Sequence, residues 1–135
     1  MNLISVDPGK SGAFARWTMD GELLETYKVR VPAKQRYFEK KELSLLSSIL
    51  EAGDTVVTEG LLDKRIRHNS PIAVNTMAIN FGMQRATCVL NKVKKIEVIS
   101  PWTWKKDLGL SKDKHLSIRL ARELVDHSFL RKQRM

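Results

Sequence analysis

Cysteine occurs once in the 135 residues, at Cys88. A lone thiol excludes an intramolecular disulfide and a thiolate zinc site. Histidine is nearly as scarce: His68, His115 and His127 are scattered, without the i,i+4 spacing of a helical zinc pair. No apolar run approaches the roughly 18 residues of a membrane-spanning helix. No secretory signal precedes Asp7, so the cytoplasm is the expected compartment. Acidic residues are also under-represented, 15 against 24 Lys and Arg, for a net charge of +9.

With 42% apolar residues in regular patterns, the chain is not a disordered one. Its length predicts one domain over residues 1–135, long enough to bury a core but not two. The positive excess fits a polyanionic partner. It is uneven, with eleven Lys and Arg against five Asp and Glu in residues 94–135.

Two short stretches carry the chemistry. Leu3, Ile4 and Val6 form an apolar run that ends abruptly at Asp7. Pro8, Gly9 and Gly12 then impose a tight reversal into a second run, Ala13 to Thr18. This order predicts a strand, a carboxylate at its tip and an antiparallel return, with Asp7 held on rigid backbone at the rim of a sheet. Thr55, Val56, Val57 and Thr58 are β-branched, typical of a central strand, and their run ends in Glu59 and Gly60. A carboxylate in such a place is costly unless paired or bound to a cation. Two of them about 4 Å apart would repel by roughly 4 kcal/mol at an effective dielectric of 20, a penalty that a divalent cation removes. The simpler alternatives are that Asp7 only caps a turn and that Glu59 pairs with a lysine.

Between these stretches, Met19-Asp20-Gly21 reads as a tight hairpin turn and Glu22 to Val29 as a third strand. Leu43, Leu46 and Leu50, with Leu45 and Ile49 beside them, predict a helix over Tyr37 to Glu51, stopped by Gly53-Asp54. Lys64, Arg65, Arg67 and His68 crowd a loop directly after the Glu59 strand, either an ordinary solvated loop or a DNA contact. Ser70-Pro71 starts a long helix to Lys92 with apolar residues on more than one stripe, which suggests burial on two sides. A strand over Lys95 to Ser100 follows, and then Pro101-Trp102-Thr103-Trp104-Lys105-Lys106. Indoles can stack on bases and lysines can hold phosphates, although tryptophans are more often core. Ser111 caps a last helix from Lys112 to Val125, with Leu116, Leu120 and Leu124 at i,i+4 spacing.

Ile4-Ser5-Val6-Asp7-Pro8-Gly9-Lys10-Ser11-Gly12 and Val57-Thr58-Glu59 resemble the first two acidic motifs of the RuvC family. These are Holliday-junction resolvases of the ribonuclease-H-like superfamily, and the variant this sequence looks most like is the one common in bacteriophages. The stretch Pro101 to Lys106, followed by Gly109-Leu110, resembles those phage enzymes too, where it lies beside the active site. The resemblance implies an α/β chain of ribonuclease-H-like fold, a central mixed sheet of three antiparallel and then parallel strands, flanked by helices. It implies a metal-dependent endonuclease for four-way and other branched DNA, dimeric through the helix over 71–92, in a bacterial or phage-infected cell. Asp7 and Glu59 would ligate two Mg²⁺ or Mn²⁺ ions. Lys105 and Lys114 would lie nearest the scissile phosphate, with Lys10, Arg65, Arg67, Trp102, Trp104, Lys106 and Lys112 on the DNA.

One departure from the family pattern is plain. Two-metal hydrolysis uses three or four carboxylates to hold ions roughly 3.5–4 Å apart, and RuvC-type enzymes take the remainder from a C-terminal helix. Here that helix is due after Leu130, where the sequence reads Arg131-Lys132-Gln133-Arg134-Met135. Three explanations stand open: a chain cut short of its last helix, substitution by Asp126 (or Asp113), and a junction-binding protein without nuclease activity. Two other readings fare worse. Gly9-Lys10-Ser11 is not a phosphate-binding loop, which needs glycine five positions before Gly9 and finds Ile4. The actin and sugar-kinase hairpin needs two such domains.

Overall fold

The computed structural model describes residues 1–9, 11–60, 70–110, 115–116 and 118–123. The Asp7 reversal and the Asp20-Gly21 turn make three successive antiparallel strands, β1 (Leu3–Asp7), β2 (Ala13–Trp17) and β3 (Leu23–Lys28). Gly21 takes φ +88, and its N–H donates to the Thr18 carbonyl at 3.0 Å, closing the second turn. Helix α1 (Lys40–Ile49) then carries the chain back to β4 (Thr55–Glu59), which pairs parallel to β1. Helix α2 (Pro71–Leu90) leads to β5 (Lys95–Ile99), parallel to β4, and a short helix α3 (Pro101–Asp107) follows. The strand order is β3-β2-β1-β4-β5, so β1 and β4 are inner neighbours. Helical backbone recurs at 115–116 and 118–123, inside the helix expected over Lys112 to Val125.

The core lies on one side of this sheet. Alternation along the strands sends Ile4 and Val6 of β1, Phe14 of β2 and Val56 of β4 to the buried face. They meet Leu46, Ile49 and Leu50 from α1 and its end, and Cys88 from α2. Leu3, Ser5 and Asp7, with Thr55, Val57 and Glu59, project from the other face, and none of the six is fully buried. Burial pushes the Cys88 thiol up to about 11, so it is protonated and unreactive at neutral pH.

Asp54 fastens the ends of the inner strands. Its side chain is fully buried and accepts from the Asn2 N–H at 2.9 Å and the Glu51 N–H at 2.8 Å. Its own carbonyl accepts from Lys94 N–H at 2.8 Å, just before β5. One residue therefore sets the starts of β1, β4 and β5 against each other. Without the carboxylate, two amides would lose acceptors, at about 1–3 kcal/mol each where they are buried.

Helix α2 inverts the usual distribution of polarity. Ser70 caps it as expected, accepting from Ala73 N–H at 3.1 Å with Pro71 in the first turn. Its buried stripe is Asn80, Gln84 and Cys88, four residues apart, and Asn80 Oδ1 accepts from the Phe38 N–H at 2.8 Å. The opposite stripe, Ile72, Asn75, Ile79, Gly82, Ala86 and Val89, steps by three and four residues and is exposed throughout. Among the described residues the helix is thus buried on one side, not two.

Boundaries otherwise move by one to three residues at element ends. Helix α1 starts at Lys40 rather than Tyr37, because the buried Glu42 carboxylate accepts from the Glu39 N–H and fixes the first turn there. Helix α3 has no counterpart in the sequence reading. Among the described residues no helix is long and apolar enough to cross a membrane.

Candidate metal and nucleic-acid site

The parallel register of β1 and β4 runs Leu3↔Thr55, Ile4↔Val56, Ser5↔Val57 and Val6↔Thr58. Asp7 and Glu59 are the next residues on each strand. They end neighbouring inner strands, which lie about 4.8 Å apart in any sheet, and alternation turns both side chains to the face opposite the core. The fold places the two carboxylates expected at strand ends, 52 residues apart in sequence, at the tips of adjacent inner strands.

Each carboxylate is held at one oxygen. Asp7 Oδ1 accepts from the Gly9 N–H at 3.2 Å, the Asx geometry that its Pro-Gly sequel favours. The turn then closes through Gly12 N–H to the Gly9 carbonyl at 3.0 Å, and Asp7 itself stays exposed. Glu59 Oε1 accepts from the indole N–H of Trp104 at 2.9 Å, in a part-buried setting. Beyond it, Gly60 N–H continues the β4–β5 ladder to the Ile99 carbonyl at 3.1 Å.

Hard oxygen donors, one exposed and one half-buried, suit Mg²⁺ or Mn²⁺, which keep several waters and take one or two protein carboxylates. Asp7 and Glu59 fit one such ion. The two ions implied by the resemblance would need more donors. Among the described residues no group of three or more His, Cys, Asp and Glu side chains converges. The two buried acids among the described residues are committed elsewhere: Asp54 holds the strand starts, and Glu42 holds the N-terminus of α1. Burial raises the Glu42 carboxyl, but hydrogen bonds from backbone N–H groups and Gln35, with the charge of Lys41, outweigh it and leave its pKa below the ordinary value.

The expected nucleic-acid residues divide in two. Trp104, Lys105 and Lys106 lie on α3, which starts two residues after the Ile99 that pairs with Glu59. Trp104 and Lys105 are partly buried, Lys106 is exposed, and Lys105 Nζ stands 5.4 Å from the centre of the Trp104 ring. Trp102 shares that helix, its side chain outside the described residues. Lys10, Arg65, Arg67, Lys112 and Lys114 also lie outside them, as does Asp126, the candidate third metal ligand, with its alternative Asp113.

Sequence reasoning places Trp104 on DNA and gives it no role toward Glu59. The signal was available in the β5 run: a fifth strand parallel to β4 sets its end beside Glu59, and Trp104 follows within five residues of Ile99. The sequence likewise marks Gly60 only as a strand end. A β-carbon there would meet Val98 Cγ1 at 1.9 Å, so glycine is what lets β5 close against the tip of β4.

No protein-family model matches the chain, and no curated protein does. Solved structures do. Thermus thermophilus RuvC in complex with a Holliday junction substrate superposes at a TM-score of 0.58 with 15% identity, covering 98% of this chain and 96% of that one. Another Thermus thermophilus RuvC structure superposes at 0.53 with 14% identity, covering 98% and 97%. The fold is therefore RuvC-like, a mixed five-stranded sheet with its helices, in the ribonuclease-H-like class.

Proposed function

We propose that this chain is a metal-dependent endonuclease that resolves four-way and other branched DNA junctions by phosphodiester hydrolysis, acting in the cytoplasm of a bacterial or phage-infected cell. One observation carries the reading: in a RuvC-like fold, Asp7 and Glu59 end adjacent inner strands on one face. That one solved neighbour was captured with a Holliday junction substrate supports the choice of DNA.

Asp7, steadied by the Gly9 amide, and Glu59, steadied by Trp104, would hold the cation. Bound there, a divalent ion supplies Lewis-acid activation of water and offsets charge on the phosphate. Lys105 and Lys106 add two positive charges on α3 beside Glu59, placed to neutralise neighbouring phosphates. Lys114, Lys10, Arg65, Arg67 and Lys112 extend this grip, and Asp126 completes the ligand set.

The same reading makes the protein a homodimer through α2. Its exposed stripe, Ile72, Asn75, Ile79, Gly82, Ala86 and Val89, has the alternating three-and-four spacing of a helix-pairing seam. A β-carbon at Gly82 would meet nothing within 4 Å, so that side is open. The expected result is a dimer by sedimentation, with Ile79→Glu monomeric and still folded; a wild-type monomer at micromolar concentration would remove the seam.

A junction-binding protein without nuclease activity is the second reading, favoured by the lack, among the described residues, of any group of three or more His, Cys, Asp and Glu side chains that could hold a metal ion. Metal dependence separates the two. On a synthetic four-way junction, the nuclease yields paired nicks with Mg²⁺ or Mn²⁺, and EDTA lowers the rate by about 100-fold or more. Tight junction binding with no nicks under either ion would leave the binding protein.

A further inference from the structure

The strand register brings Glu59 beside Ile99, and α3 begins two residues later, so Trp104 lies within one helical turn of the β4 tip. Its indole N–H meets Glu59 Oε1 at 2.9 Å. An indole has one donor and no acceptor, so the bond has a single sense, and an ionised acceptor makes it among the stronger kind. The Lys105 ammonium, 5.4 Å from the ring centre, occupies one face of the same indole and helps to hold it. Glutamate is the longer of the two acids and has more rotamer freedom to lose when it binds an ion. Asp7 is shorter and already fixed by the Gly9 amide.

We propose that Trp104 is a positioning residue for cation binding: it pins Glu59 by Oε1 and leaves Oε2 to join Asp7 on the ion. This rests on the reading of Asp7 and Glu59 as a cation-binding pair. Each ligand then has one oxygen fixed by one neutral N–H and the other available. Partners of this kind are worth roughly 10–100-fold in metal affinity, because they remove the disorder that binding would otherwise have to suppress.

The test is Mn²⁺ binding to the full chain without DNA, followed by the electron paramagnetic resonance of the free ion. Trp104→Phe removes the N–H and keeps a ring. It should raise the Mn²⁺ Kd by roughly 10–100-fold. Glu59→Gln should weaken binding at least as much, and the double variant no further than Glu59→Gln alone. If Trp104→Phe binds Mn²⁺ like the wild type while Glu59→Gln does not, the proposal is overturned and the cation pair survives. Wild-type binding by Asp7→Asn and Glu59→Gln would remove the pair itself, and the positioning role with it. Unchanged Mn²⁺ binding with weakened junction affinity in EDTA assigns the indole to DNA, and also overturns the proposal. A measurement that leaves Trp104 in place uses Trp17→Phe/Trp102→Phe, where the remaining emission must shift on Mg²⁺ titration. It must lose that response on adding Glu59→Gln; an emission unmoved by saturating Mg²⁺ overturns the proposal.

Discussion

Asp7→Asn is expected to lower junction cleavage by about 1000-fold or more and to change junction affinity in EDTA by less than about threefold. The asparagine oxygen can still accept the Gly9 N–H, so the turn after β1 keeps its closure. What is lost is one negative charge and one hard oxygen at the ion. A bound cation contributes several kcal/mol to such a transition state, and each 1.36 kcal/mol is tenfold in rate. In the proposed function the DNA grip would belong to other side chains, of which Lys105 and Lys106 stand on α3. Single-turnover cleavage and gel-shift binding on one junction measure the two effects separately. Equal turnover by Asp7→Asn and wild type would end the nuclease reading.

Gly12→Ala should destabilise the fold by at least about 3 kcal/mol, and more if the chain fails to pair β1 with β2. A β-carbon at Gly12 would lie 2.1 Å from the Asp7 carbonyl oxygen and 2.9 Å from that of Gly9. Both are backbone atoms, so no side chain can swing aside to make room. Opening the turn would break the bond from Gly12 N–H to Gly9 and the one from Val29 N–H to the Gly12 carbonyl, each 3.0 Å. Gly9→Ala is the control. Its β-carbon would meet only Asp7 Oδ1, at 3.4 Å, and the expected change is below about 1 kcal/mol. Urea denaturation of the two variants checks this, and equal stability would show that the turn relaxes freely.

The local signals in the sequence carried over well. The Asp7 reversal, the Asp20-Gly21 hairpin, the β-branched run to Glu59 and the Ser70-Pro71 cap each depend on a few adjacent residues, and the structure has all four. The position of Asp7 and Glu59 at strand ends was readable because strand ends are local features. What was not readable depends on partners far along the chain. Asn80 can be buried on α2 because the Phe38 amide, 42 residues earlier, needs an acceptor. Asp54 looks like an ordinary helix stop until Asn2 is brought to it. Trp104 reads as a DNA contact because nothing in its own segment shows that Glu59 will be within reach. Periodicity describes one element's faces, and these assignments needed two.

The Asp54 fastening has a kinetic side. Its bond to Asn2 joins residues 52 apart, and β1 meets β4 over the same sequence separation. The opening β-meander can form by itself from short-range contacts, but it holds only one of the two acids. The other arrives once α1 has packed and a long loop has closed, the slow kind of step in folding. An ion that needs both acids therefore has no foothold on the early hairpins. It favours only the finished sheet, so added Mg²⁺ should act on the unfolding limb of the chevron and leave the refolding limb almost untouched.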